Sequence, residues 1–157
     1  MTGLCRYEGP CWRAVAAGRE ATVLAGSAGA GRYNRPGQCA LYMSGSAAGV
    51  AAAMARYGDA PRTLIRLDVE AGALLDLRDA AACRAFGIDT ARAKEDWIAA
   101  LDRGEEPASW AVSDRARAIG ATGLIDGSRR APEEWHLVLF EWNEPGGARV
   151  TAAESHA

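Results

Sequence analysis

Residues 22–58, TVLAGSAGAGRYNRPGQCALYMSGSAAGVAAAMARYG, contain a loop, a short strand and a helix in succession. Glycines and a proline between residues 22 and 38 favour a loop. The apolar run at 39–44 predicts a short strand. Ser46 is a suitable N-cap, alanines follow it, and Gly58 is a suitable stop, so a helix is predicted over 45–57.

The rest of the chain extends this unit with further strands and helices. Apolar runs predict strands at 63–69, 73–77, 123–126 and 135–142. Glycines that follow the last periodic residues predict helices at about 79–86, 92–103 and 108–119. From Asn143 onward the polar composition predicts a frayed tail. Strands near both ends with helices between them indicate an α/β or α+β domain.

Composition excludes several classes of protein. A length of 157 residues suits one domain, and 49% hydrophobic with 24% charged residues is typical of a soluble globular protein. A net charge of −2 argues against recruitment of nucleic acid by a basic surface. Four cysteines without a Cys-x-x-Cys pair, beside two histidines, argue against a metal site. We find no signal peptide or membrane span in the pattern and expect a cytoplasmic protein.

The distribution of charge is more informative than its sum. No acidic residue occurs between Glu20 and Asp59, whereas Arg32, Arg35 and Arg56 lie there. A guanidinium can hold a phosphate through paired hydrogen bonds, and the small residues before Arg32 allow a close approach of the backbone. The surroundings match neither a Walker loop nor a dinucleotide fingerprint. This stretch therefore predicts an anion site of another type.

Each candidate residue also has a structural interpretation. Arg32 could face solvent from a flexible loop, Tyr42 could be a core aromatic, and Ser128 could serve only its turn. We expect His136, inside an apolar strand, to be a structural residue rather than a general base. A serine hydrolase built on Ser128 would lack both a nucleophile elbow and a base placed by the sequence.

The order of the short motifs is more specific than any one of them. Along the chain occur Trp12-Arg13, Gly31-Arg32-Tyr33-Asn34, Ala40-Leu41-Tyr42-Met43-Ser44, Leu75-Asp76-Leu77-Arg78, Trp97, Gly123-Leu124-Ile125-Asp126-Gly127-Ser128 and Leu137-Val138-Leu139-Phe140. In this order the chain resembles the RES domain, the toxin half of bacterial RES–Xre toxin–antitoxin pairs, over residues 10–141. The resemblance implies one domain over 1–157, with a core at about 10–142 and a polar tail at 143–157. It also implies an α+β fold with an ADP-ribosyltransferase-like split β-sheet and surrounding helices.

The resemblance further implies an activity and a partner. RES domains cleave NAD⁺ at the nicotinamide–ribose bond. They pass ADP-ribose to a protein acceptor, such as phosphoribosyl-pyrophosphate synthetase, or to phosphate or water, which depletes NAD⁺. NAD⁺ is then the substrate, no metal takes part, and an Xre-type antitoxin is the partner. No direct contact with nucleic acid or membrane is implied.

The residues of the site follow from the same resemblance. Those expected to bind NAD⁺ are Arg13, Arg32, Tyr33, Asn34, Tyr42, Ser44 and Ser128. Within this set the arginines would hold the diphosphate or the nicotinamide ribose, the tyrosines would flank the nicotinamide, and Ser128 would bond the nucleotide. The catalytic residues are expected at Arg32, Tyr42, Ser128 and the position of Ala53.

Position 53 is where the chain departs from the family. RES domains carry a glutamate about three turns along the helix that follows the Tyr-x-Ser strand, which falls here on Ala53 or its neighbour Ala52. The alignment could be shifted, the chain could be a degenerate paralogue, or a substitution could have inactivated a toxin to permit its expression. We favour the third explanation because the rest of the site is intact. The alternative function is a non-catalytic nucleotide-binding or interaction domain.

Overall fold

The computed structural model describes residues 3–152 and contains six strands and five helices within them. The strands are β1 (Cys5–Ala16), β2 (Leu41–Ser44), β3 (Arg62–Asp76), β4 (Gly123–Gly127), β5 (Trp135–Leu139) and β6 (Arg149–Ala152). The helices are α1 (Ala47–Met54), α2 (Ala80–Ala85), α3 (Thr90–Ala93), α4 (Trp97–Asp102) and α5 (Ser109–Ala118). Short 3₁₀ turns occupy Glu20–Thr22 and Ala55–Tyr57.

The strands form one mixed sheet with two distinct halves. Its order is β1-β2-β5-β4-β3-β6, and β1 also pairs with β3. In one half, β1, β3 and β6 are antiparallel; in the other, β5 lies antiparallel between β2 and β4. Within residues 3–152 the halves meet at two narrow junctions, the single pair Trp12↔Ser44 and the parallel pairing of 74–76 with 123–125. This arrangement confirms the predicted α+β class.

Three boundary predictions are corrected by long-range pairing. The chain before residue 17 was not predicted to be a strand, but β1 pairs along almost the whole of β3. The runs at 63–69 and 73–77 are one strand, and the apparent break is an irregularity in which Ala73 has a φ of 56°. The predicted tail is wrong for residues 143–152, because Val150 pairs with Val69 and is buried. Residues 153–157 of that tail lie outside the described residues.

The helix predicted at 92–103 is two helices, and this break matters for the site. Asp96 accepts a hydrogen bond from the Ala99 amide and so begins α4 as a new N-cap. The chain between α3 and α4 therefore leaves the carbonyl oxygens of Ala93 and Glu95 available to side chains. The helices predicted at 79–86 and 108–119 are confirmed as α2 and α5, and the last predicted strand ends at Leu139.

Strand alternation divides the packing between the two faces of β2, β5 and β4. Leu41, Met43, Leu137, Leu139 and Ile125 point into the core that these strands share with β1, β3 and β6. The opposite face packs through Val138 and Leu124 against α2, α3 and α5, with Tyr33 also in this second core. At one end of this opposite face the side chains are polar. These polar side chains form the floor of a cleft.

Candidate active site

A cleft of about 520 Å³ opens over the polar end of β2, β5 and β4. The loop at 27–33, α1 with its following turn, and the segment after β4 form its walls. Of the predicted residues, the cleft is lined by Arg13, Arg32, Tyr33, Tyr42, Ser44, Ala53 and Ser128. These predicted residues are up to 115 positions apart in the sequence, from Arg13 to Ser128.

The charge of the cleft is strongly unbalanced. Among the described residues its lining contains one carboxylate, Asp126, and five arginines: Arg13, Arg32, Arg56, Arg129 and Arg130. Two of these arginines come from the acid-free stretch that predicted an anion site. Arg35, from the same stretch, instead makes salt bridges to Glu106 and Asp114. The concave, cationic surface is suited to a ligand that carries phosphate groups.

Arg32 is held by the break between α3 and α4. Its Nη1 donates to the carbonyl oxygens of Ala93, at 3.0 Å, and Glu95, at 2.7 Å. Arg129 also donates to the Ala93 oxygen, so the two guanidinium groups lie close together. Burial, and then the charge of Arg129, lower the pKa of Arg32. An anion between the two arginines would relieve this repulsion.

Tyr42 presents its ring, rather than its hydroxyl, to the cleft. The hydroxyl accepts from the Tyr33 amide at 3.0 Å and donates to Asn34 Oδ1 at 2.6 Å. Burial raises the pKa of Tyr42 to about 12, so the hydroxyl stays protonated. Arg13 donates to the Tyr42 carbonyl at 3.0 Å and so supports strand β2. The half-buried ring lines the cleft and suits stacking on a planar aromatic ligand.

Asn34 has a supporting position and does not line the cleft. It is 0% exposed, and its Nδ2 lies within hydrogen-bond distance of the carbonyls of Gly29, Arg35 and Gln38. Gly31 is required by this arrangement, since an added Cβ would lie 2.5 Å from Asn34 Oδ1 and 2.6 Å from the Tyr42 hydroxyl. The absence of a side chain at Gly31 is therefore needed for packing inside the loop as well as for a close approach of the backbone to the cleft.

Helix α5 forms hydrogen bonds to the outer side of the loop at 27–33. Ser109 donates to the Arg32 carbonyl at 2.5 Å, and Trp110 Nε1 donates to the Gly31 carbonyl at 2.8 Å. Both residues are buried. The backbone on either side of the Arg32 side chain is therefore fixed by a helix that the sequence places 77 residues away.

Ser128 combines its turn role with a place in the cleft. Its Oγ accepts from the Ala131 amide at 3.2 Å, while its own amide donates to the Glu134 carbonyl at 3.0 Å. The hydroxyl hydrogen remains available to a ligand. The turn role and the nucleotide-binding role of Ser128 are therefore compatible with one geometry.

Helix α1 supplies the wall that carries position 53. The predicted N-cap is confirmed, because Ser46 Oγ accepts from the Gly49 amide at 2.9 Å. Ala53 is exposed and Ala52 half-buried, and both line the cleft. Residues 47–57 contain no acidic residue, so a shift of alignment along this helix cannot supply the glutamate. The other two explanations for its absence stay open.

Sequence reasoning missed two polar residues of the cleft floor. Asp126 Oδ2 accepts from the Tyr33 hydroxyl at 2.6 Å and lies 3.6 Å from Arg129 Nη2. Burial, followed by the charge of Asp126, raises the pKa of Tyr33 well above its ordinary value. His136 was expected to be structural, but it lies in the cleft floor beside Ser44. For both Asp126 and His136, the only available signal in the sequence was the alternation of residues along β4 and β5.

The fold and the cleft define an α+β protein with a cleft that is lined by arginines and by tyrosine rings. The family model of the RES domain matches residues 10–157, and the chain therefore belongs to the RES domain family. The crystal structure of the M. tuberculosis MbcT–MbcA toxin–antitoxin complex contains a chain of similar fold, with a TM-score of 0.66 and 20% identity. The match covers 96% of this chain and 87% of that chain. No curated protein matches the chain.

Two further properties concern the described residues 3–152. No helix among them is both long and apolar enough to cross a membrane. No group of histidine, cysteine or acidic side chains there is arranged to hold a metal ion.

Proposed function

We propose that the chain is the toxin of a toxin–antitoxin pair and that its cleft binds NAD⁺. The observation that carries the proposal is the convergence of Arg32, Tyr42, Ser128 and position 53 on one cleft lined by five arginines. NAD⁺ offers a diphosphate to the arginines and a nicotinamide ring to Tyr42. An Xre-type antitoxin would silence the protein by covering this cleft, and the M. tuberculosis complex is an example of a toxin of this fold with its antitoxin.

The proposed reaction breaks the bond between nicotinamide and ribose. Positive charge develops on the ribose as the bond lengthens, and a carboxylate beside the sugar stabilises it. Position 53 is where such a carboxylate would stand, and the chain has alanine there. The interactions with the arginines and Tyr42 are made in the ground state as well, so binding should persist while turnover is low.

The chain should bind NAD⁺, and Arg32→Ala should weaken the binding at least about tenfold. Each charge-assisted hydrogen bond to a phosphate contributes about 1.5–3 kcal/mol, and 1.4 kcal/mol corresponds to a factor of ten. Calorimetric titration with NAD⁺ measures both affinities. Arg35→Ala is the matched control, because Arg35 lies in the same loop but pairs with Glu106 and Asp114. Equal affinities for the chain and Arg32→Ala would remove Arg32 from the site.

The acceptor of ADP-ribose is decided by a separate experiment. The Ala53→Glu chain is incubated with NAD⁺ labelled in the adenylate and with extract of the host cell. We propose that the label passes to one protein band, such as phosphoribosyl-pyrophosphate synthetase, or leaves as free ADP-ribose or its phosphate. Label on protein indicates transfer, whereas label in small molecules indicates hydrolysis or phosphorolysis.

A non-catalytic nucleotide-binding or interaction domain is the second candidate function. The alanines at 52 and 53 favour it, because the cleft wall that should carry the catalytic carboxylate is apolar. This candidate requires that Ala53→Glu leaves both NAD⁺ and the growth of the expressing cell unaffected. It shares the prediction of NAD⁺ binding with the first candidate, so only turnover separates them.

A further inference from the structure

Three polar side chains form a row across the cleft floor. Ser44 on β2 is paired with His136 on β5, and His136 is paired with Asp126 on β4. Directly paired residues of neighbouring antiparallel strands point to the same face of the sheet. All three residues line the cleft, so in this row the imidazole lies between a hydroxyl and a carboxylate.

The contact with Ser44 fixes the imidazole ring. Ser44 Oγ lies 2.8 Å from His136 Nδ1, and Ser44 is 3% exposed. With Nδ1 engaged in this way, Nε2 is the ring nitrogen left to interact with a molecule in the cleft. Asp126 Oδ2 is already engaged by the Tyr33 hydroxyl and lies near Arg129. The described residues offer Nε2 no hydrogen-bond acceptor, so we infer that Nδ1 carries the proton and donates it to Ser44.

The charges around His136 act in both directions. Asp126 on β4 and Glu134 before β5 raise its pKa, whereas Arg129 and Arg32 lower it. Burial in the floor is the largest influence, and the net effect lowers the pKa of His136 below its ordinary value of 6.5. The lowered pKa favours the neutral imidazole at pH 7, which is the form that can accept a proton.

We propose that His136 is the general base that deprotonates the water attacking the ribose, a role that rests on the proposed cleavage of NAD⁺. His136 Nε2 takes a proton from the water as its oxygen bonds to C1′ of the ribose. The C1′–nitrogen bond breaks, and its electron pair leaves on neutral nicotinamide. The imidazolium then loses the proton to solvent, so NAD⁺ and water yield ADP-ribose, nicotinamide and one proton. Ser44 is a positioning residue that holds the ring.

A nucleophile without a proton separates this role from a structural one. When a pyridine base such as 3-acetylpyridine replaces nicotinamide, its ring nitrogen attacks through a lone pair and no proton has to be removed. Both reactions need the same NAD⁺ binding and the same bond cleavage. Loss of a general base should therefore lower hydrolysis relative to base exchange, whereas a distorted cleft should lower both.

The kinetic test compares the two reactions in the Ala53→Glu chain with and without His136→Asn. Asparagine preserves a donor near the position of Nδ1, which keeps the contact with Ser44, and it has no counterpart of Nε2. General bases contribute about 10²–10⁴-fold, so the ratio of hydrolysis to exchange should fall about 100-fold. A ratio that does not change overturns the proposal. If the Ala53→Glu chain consumes no NAD⁺ with water, phosphate or protein as acceptor, the proposed NAD⁺ cleavage itself is contradicted. If it consumes NAD⁺ but hydrolyses none, the role of His136 is overturned.

The second measurement uses a chain without the Ala53→Glu and His136→Asn substitutions. In a ¹⁵N-labelled His156→Ala chain, His136 is the only imidazole. Nitrogen-15 correlation spectra at pH 7 should show a neutral ring protonated at Nδ1, and Ser44→Ala should shift the population toward the Nε2-protonated form. A ring that is charged at pH 7, or protonated at Nε2, could not accept the proton and would overturn the proposal whatever the kinetics show.

Discussion

The Ala53→Glu chain should consume NAD⁺ at least about 100- to 1,000-fold faster than the chain with alanine, because one preorganised electrostatic contact to the transition state contributes that much. Ala53 is exposed on α1 and already lines the cleft, so the added carboxylate enters it without displacing a packed side chain. Glutamate is also nearly as good a helix former as alanine. The measurement is the loss of NAD⁺ with time, together with the growth of cells that express the variant.

Electrostatics within the cleft determine how the carboxylate acts. Asp126, the carboxylate already present among the described lining residues, is engaged by the Tyr33 hydroxyl and lies near Arg129. It is therefore poorly placed to respond to new positive charge on a ribose. A glutamate at 53 would enter the cleft from the α1 wall rather than from the floor, and α1 itself contains no other charged residue, the nearest being Arg56 in the turn that follows.

Two matched variants test the placement. Ala51→Glu adds the same charge to the same helix at an exposed position outside the cleft lining, and it should leave NAD⁺ consumption unchanged. Ala52→Glu tests the neighbouring position, which also lines the cleft. If neither 52 nor 53 confers turnover, the idea of an inactivated toxin is wrong, and the non-catalytic function is favoured.

The predictions from sequence succeeded where local chemistry determines structure. The loop, strand β2 and helix α1 follow from glycines, an apolar run and the Ser46 cap, all within 40 residues. β1 was missed because its pairing with β3 joins residues such as Trp12 and Arg66, which nothing local connects. β6 was taken for a tail because only two of its four residues, Val150 and Ala152, are apolar, and so short a segment forms a strand only when β3 offers an edge.

The sequence predicted a set of candidate residues but not their geometry. The resemblance to the RES domain identified Arg32, Tyr42 and Ser128, and all three line one cleft. Asp126 precedes a glycine and a serine, a context typical of a turn, so its pairing with Tyr33 across 93 residues had no local signal. Asn34 follows Arg32 and Tyr33 in the chain, and only the folded loop shows that it points away from the cleft.

Asn34→Ala should lower the free energy of unfolding by about 3 kcal/mol, because a buried polar group that loses its partner costs about 1–3 kcal/mol. The substitution removes the donor to the carbonyls of Gly29, Arg35 and Gln38 and the acceptor of the Tyr42 hydroxyl. In a domain of this size 1 kcal/mol corresponds to about 2–4 °C in Tm, so Tm should fall by about 9 °C. Thermal and urea unfolding measure the effect.

Tyr42→Phe is the matched control, since it removes the hydroxyl that bonds Asn34 and the Tyr33 amide but leaves the three carbonyls satisfied. It leaves fewer buried groups without a partner than Asn34→Ala does, so it should cost less, about 1–2 kcal/mol. The double variant should cost less than the sum, because the two changes remove one shared bond. Full stability of Asn34→Ala with weakened NAD⁺ binding would contradict the supporting role and would make Asn34 a ligand contact, as the resemblance to the family first implied.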